Sequence, residues 1–163
     1  MIKTGGSIMI LFLLAVFFTS CTNINTTVDD TVDFQTQYVR TFAHNNSVYP
    51  VITVISSEAE LEQYHNEKVS TSYETAYTGF TKAIQGYTDL YFSDNFLVIA
   101  LLEVSSGSIR LEVDKIKKNG DIVINRFIPK VGTCDMAEWN IIIELNNNFK
   151  SGKYELNFVD KRL

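Results

Sequence analysis

Beyond the first twenty residues, the apolar pattern is organised around Phe96–Val104, FLVIALLEV, in which only Glu103 is polar. A strand with one wet face alternates apolar and polar positions, whereas this run does not, which predicts a strand covered on both faces. Its length, between Asp94-Asn95 and Ser105-Ser106-Gly107, suits a long strand better than a helix. It is read as the central strand of a sheet. Downstream the period becomes two. Ile109, Leu111 and Val113 alternate with Arg110, Glu112 and Asp114; Trp139, Ile141, Ile143 and Leu145 alternate with Asn140, Ile142, Glu144 and Asn146; Tyr154, Leu156 and Phe158 form a last strand after the polar turn 146–152.

Asn119-Gly120 is a hairpin signal. A three-residue loop, Asn119 to Asp121, sets Ile116 opposite Ile124, and the change of parity between Val113 and Ile116 predicts a bulge near Asp114. Upstream, Phe34, Tyr38 and Phe42 on one side of His44-Asn45-Asn46-Ser47 and Val51, Thr53 and Ile55 on the other read as a hairpin, with Pro50 on an edge or at a strand start. Ser57-Glu58-Ala59-Glu60 is a capping box, opening a helix that carries Leu61 and Tyr64 inward and runs to about Lys68. Thr71–Glu74 opens a second helix, with Ala76, Phe80, Ala83, Ile84 and Tyr87 on one face. Two strands, two helices and five strands make an α+β fold: a twisted, mostly antiparallel sheet of six to seven strands with both helices on one side.

The 163 residues, 45% hydrophobic and 20% charged, suit a single domain. Lys3 is one of 14 basic residues, so 13 stand against 19 acidic ones beyond the leader. The densest basic cluster, Lys115, Lys117 and Lys118, is flanked by Asp114 and Asp121. Nucleic acid is therefore excluded as an expected partner, because phosphate binding needs concentrated positive charge.

Lys3 followed by the apolar run Ile8–Phe18 reads as a secretory leader, too short to span a bilayer. Phe18-Thr19-Ser20-Cys21 resembles the lipobox of bacterial lipoproteins, with Phe18 where leucine is usual. The resemblance implies that Cys21 receives a diacylglycerol and becomes the new N-terminus, so that a doubly acylated anchor holds the chain at the outer face of the cell membrane. Cleavage after Cys21 is the alternative, and a Cys21–Cys134 disulfide goes with a Cys21 that stays free. Residues 1–20 are thus read as signal, 21–33 as lipidated cysteine and flexible tether, and 34–163 as the folded domain.

Candidate chemistry is sparse. Cys134 and Asp135 with His65 are the elements of an alternative hydrolase or transferase, but nothing in their spacing places them together, and a buried structural thiol is the plainer reading of Cys134. No metal-ligand spacing and no cofactor motif occurs. Ser105-Ser106-Gly107-Ser108 reads as a turn rather than a phosphate loop. Arg110, Glu112, Asp114 and Arg126 read as a solvated charged row. Tyr73, Tyr77, Tyr87 and Tyr91 gather around the second helix, where an exposed subset would favour protein or glycan contact.

The stretch from Tyr38 to about Phe158 resembles a group of extracytoplasmic lipoproteins of Gram-positive bacteria. Three motifs carry the likeness: Tyr49-Pro50-Val51-Ile52-Thr53-Val54-Ile55, the Ser105–Arg110 turn and Val131-Gly132-Thr133-Cys134-Asp135-Met136-Ala137-Glu138-Trp139. More distantly it is similar to the C-terminal domain of PrcB, a protease-complex lipoprotein. The resemblance implies a non-catalytic module that supports a protein partner, a protease among the candidates. The expected contact residues are Ser105, Ser106, Gly107, Ser108, Arg110, Asp135, Glu138 and Trp139, beside an open sheet edge able to take an extended segment. A structural surface lipoprotein is a third reading.

Overall fold

The computed structural model describes residues 30–41, 48–69, 74–150 and 152–163. Cys21 and the leader, Phe42, His44, Tyr73 and the helix-start signal at 71–73 lie outside them. The elements are β1 (Gln35–Thr41), β2 (Val51–Ile55), α1 (Glu58–Lys68), α2 (Glu74–Ile84), α3 (Asp89–Phe92), β3 (Asn95–Val104), β4 (Arg110–Ile116), β5 (Asp121–Ile128), β6 (Ala137–Asn146) and β7 (Glu155–Arg162), with a 3₁₀ turn at Asn147–Phe149 between the last two strands. The fold is α+β with seven strands, as expected, but they divide into two sheets: β1-β6-β3-β2 and β4-β5-β7.

This division explains the unbroken apolar run of β3. Phe96, Val98, Ala100, Leu102 and Val104 pack against Leu111, Val113, Ile116, Ile122 and Ile124 of the second sheet. Leu97 and Ile99, on the opposite face, pack with Leu61, Tyr64, Phe80, Tyr87 and Phe92 of the helical segment. The molecule therefore has three layers: helices, a four-stranded sheet and a three-stranded sheet. β6 shares the central position, with Ile141 and Ile143 facing the second sheet and Ile142 facing the helices.

α1 begins as its sequence predicts. Ser57 Oγ accepts the Glu60 N–H at 3.2 Å, and Glu60 reaches back to the Ser56 N–H at 2.7 Å, one residue before the N-cap. The last residues read as tether are also part of the fold. Val32 is buried, and its N–H donates to the Ile116 carbonyl at 2.9 Å.

Two sequence expectations are corrected. β1 and β2 do not form a hairpin; β1 pairs with β6 and β2 with β3, at opposite edges of the sheet. Alternation shows that each is half-buried but does not specify its partner, and the apolar β3 and β6 take the middle. The β4–β5 loop has three residues, but they are Lys118, Asn119 and Gly120, so Ile116 faces Ile122 rather than Ile124. Gly120, at φ 95, takes the left-handed position that closes such a loop, and Lys117 N–H donates to the Asp121 carbonyl at 2.9 Å, placing Asp121 in the strand. The expected bulge is present, with the register shifting between Val113 and Lys115 so that both Val113 and Ile116 face the core. Finally, β7 joins β5 in parallel, the one parallel pair among the described strands.

Candidate functional site

The Ser105–Arg110 turn and the 131–139 segment, separate in sequence, meet at one end of the molecule. Gly107 N–H donates to the Asp135 carbonyl at 2.8 Å and to its carboxylate at 3.2 Å. Thr133 Oγ1 lies 3.0 Å from Ser106 Oγ and 2.9 Å from Ser108 Oγ, and the Thr133 N–H donates to Ser108 Oγ at 2.8 Å. Arg40, from the end of β1, completes the clamp with a 2.6 Å ion pair to Asp135. The approach leaves little room for a side chain at either glycine unless the facing side chains shift. A Cβ at Gly107 would collide with Asp135 Oδ2 and stand 2.9 Å from Arg40 Nη2, and one at Gly132 would stand 3.0 Å from Ser106 Oγ.

The Asp135 carboxyl is held down to about 2, first by the Thr133 hydroxyl and then by the Arg40 guanidinium and the Gly107 N–H. A carboxyl lowered from an ordinary 3.8 strengthens the clamp above that value and loses the contribution as pH falls towards 2. Trp139, the sole tryptophan, reports on this end of the molecule. Its emission is expected to shift between pH 4 and pH 2 while far-UV circular dichroism still reads folded. Asp135→Asn should remove that step; an identical step in the variant would show that Asp135 is not its source.

Beside the clamp, between the edges of β1 and β4, lies a cleft of about 500 Å³ lined by Tyr38, Gly107, Ser108, Ile109, Arg110, Leu111, Glu112 and Trp139. Tyr38 Oη accepts the outward Val113 N–H at 2.8 Å and thus bridges the two sheets at the cleft's edge. The Trp139 indole N–H is shut off from solvent without a hydrogen-bond partner among the described residues.

Of the sequence-predicted contact residues, Ser105, Gly107, Ser108, Arg110 and Asp135 reach the surface, while Ser106 is largely buried in the clamp and Trp139 is half-buried in the cleft wall. Glu138 is corrected: it is wholly buried and faces the helices, not a partner. Its carboxylate accepts from Thr41 Oγ1 at 2.6 Å and from the Tyr49 hydroxyl, and Thr41 accepts from Asn140 Nδ2 at 2.8 Å, whose own oxygen takes the Tyr64 hydroxyl at 2.6 Å. Burial, and after it the Glu138 charge, pushes the Tyr64 phenol up, so it stays protonated and keeps donating.

Cys134 is also corrected, being exposed rather than buried. His65 is not in its company. The ring stacks between Tyr77 at 4.5 Å and Phe80 at 5.3 Å, with Thr81 Oγ1 at 3.2 Å, and burial keeps its pKa below the ordinary value. Asp135 is engaged by Arg40 and Gly107. The described residues thus do not assemble Cys134, Asp135 and His65. Among the described residues, Tyr77, Tyr87 and Tyr91 do not form an exposed patch. Tyr87 is buried and Tyr91 half-buried, and both donate to Glu144, at 2.9 Å and 3.3 Å.

Sequence reasoning missed Arg40 and Tyr38 as parts of this end of the molecule. Neither belongs to a local motif, and only the pairing of β1 with β6 brings them there. Comparison with protein-family models, curated proteins and solved structures found no match in any of the three.

Proposed function

We propose that the chain is a non-catalytic protein-binding module, anchored by lipid at Cys21 outside the cell membrane, whose contact surface is the clamped pair of loops and the cleft beside it. One observation carries the reading: two loops about 27 residues apart are locked together by backbone, hydroxyl and ion-pair contacts, and so present a preorganised surface rather than mobile termini. Preorganisation lowers the ordering cost of association. The cleft suits an apolar side chain of a partner. The partner is a protein, with a protease the class that the likeness to PrcB implies.

Gly107→Val tests the surface, because its side chain has to displace Asp135 and Arg40. A protein that co-purifies with the wild-type chain from solubilised membranes is expected to be lost with the variant, while thermal unfolding of the variant remains cooperative. Equal recovery with both chains, or recovery of nothing with either, would contradict the reading.

A further inference from the structure

The two sheets present four outer edges, and among the described residues β7 differs from the other three. β1 lies beside α2, with Gln37 Nε2 donating to the Ala83 carbonyl at 3.4 Å. β2 has only five residues. β4 is lined by the chain itself, through Val32 N–H to Ile116 O and Lys118 N–H to Asp30 O, both 2.9 Å, and through Tyr38 at Val113. β7 has eight residues, no proline and an unbroken register with β5, and only β5 runs alongside it. Long unprotected edges are templates for another strand.

The direction of its hydrogen-bonding groups follows from its two ends. Glu155 N–H donates to Gly120 O at 3.2 Å and Leu163 N–H to Ile128 O at 3.0 Å, both towards β5. Alternation then turns the N–H and C=O groups of Leu156, Phe158, Asp160 and Arg162 away from β5, to the open side. The middle of this edge exposes Phe158 and Val159, at 37% and 44%.

We infer that a second copy of this chain covers the edge, the two β7 strands pairing antiparallel about a two-fold axis at Phe158 and joining two three-stranded sheets into one of six. Charge selects both partner and register. The strand begins with Glu155 and ends with Lys161-Arg162, so antiparallel self-pairing opposes unlike charges. Directly opposed residues share a face, so only registers that oppose residues of like parity are allowed. Centring on Phe158 sets Glu155 against the second copy's Lys161, twice by symmetry, and sets outward N–H groups against outward carbonyls. Centring on Asn157 would oppose Lys153 to Lys161, and centring on Val159 would oppose no unlike charges. Within one copy Glu155 engages Lys153, and Lys161 lies over the Phe127 ring at 5.4 Å; both residues are exposed and able to re-pair. This contact uses no residue of the two-loop surface and does not depend on it.

Sedimentation equilibrium of the full chain in detergent, corrected for bound detergent, tests the pairing. The wild type is expected to show a dimer. Glu155→Lys and Lys161→Glu, each alone, should raise the dissociation constant about tenfold, because each removes two attractions and creates two repulsions. The two together in one chain should restore it, since the pairs are only reversed. A monomer at every concentration, or a dimer equally tight in both single variants, would overturn the inference.

Discussion

Cutting Phe80 back to alanine is expected to lower the unfolding free energy by about 3–5 kcal/mol. Phe80 is wholly buried, and its ring lies 5.9 Å from that of Tyr64 and 5.3 Å from that of His65, so it ties α2 to α1. The same side chain belongs to the cluster that covers Leu97, Ile99 and Ile142 on the sheet. Its loss would leave a cavity where helices and sheet meet, and total stabilities are only about 5–15 kcal/mol. Urea denaturation followed by circular dichroism would measure the effect. Phe80→Leu keeps part of the buried apolar volume and should cost clearly less than Phe80→Ala. A loss under 1 kcal/mol for Phe80→Ala would show that the helical layer is not built on this residue.

The second large effect lies at Glu138. Alanine there removes the acceptor that takes the Thr41 and Tyr49 hydroxyls inside the protein, and each buried hydrogen bond lost with its donor left behind costs about 1–3 kcal/mol. A total of about 2–6 kcal/mol is expected in the same denaturation experiment. Glu138→Gln keeps the shape and one acceptor oxygen and should cost clearly less. Equal costs for the two variants would place the effect in packing rather than in the network. A structural role of this size also accounts for the position of Glu138 in a segment that otherwise reads as a contact loop.

The sequence was legible where burial alone determines its pattern. The unbroken run of β3 required cover on both faces, and both covers exist: the helices on one side and β4 and β5 on the other. The bulge at Asp114 followed from two core residues of opposite parity, and the α1 cap from four residues. Long-range pairing was not legible. The alternation of Val51–Ile55 is the same whether its neighbour is β1 or β3, and that of Leu156–Phe158 does not distinguish a parallel from an antiparallel partner. The site was legible in part for the same reason. Turn and loop stood out as separate motifs, but their convergence depends on Gly107 approaching Asp135 and on Arg40 arriving from β1. Glu138 and Cys134 exchanged their expected places because a loop that ends in a central strand carries its last residues into the interior, leaving the earlier ones at the surface.

The most direct measurement is site-specific photo-crosslinking in the living cell, with the reactive group placed in turn at Ser108, at Met136 and at Leu90. Ser108 and Met136 lie on the two different loops, both accessible, and Leu90 is exposed on α3. If the clamped loops form one contact surface, the groups at 108 and 136 will label the same protein and the group at 90 will not. Labelling of different proteins from the two loops, or equal labelling of one protein from all three positions, would contradict it.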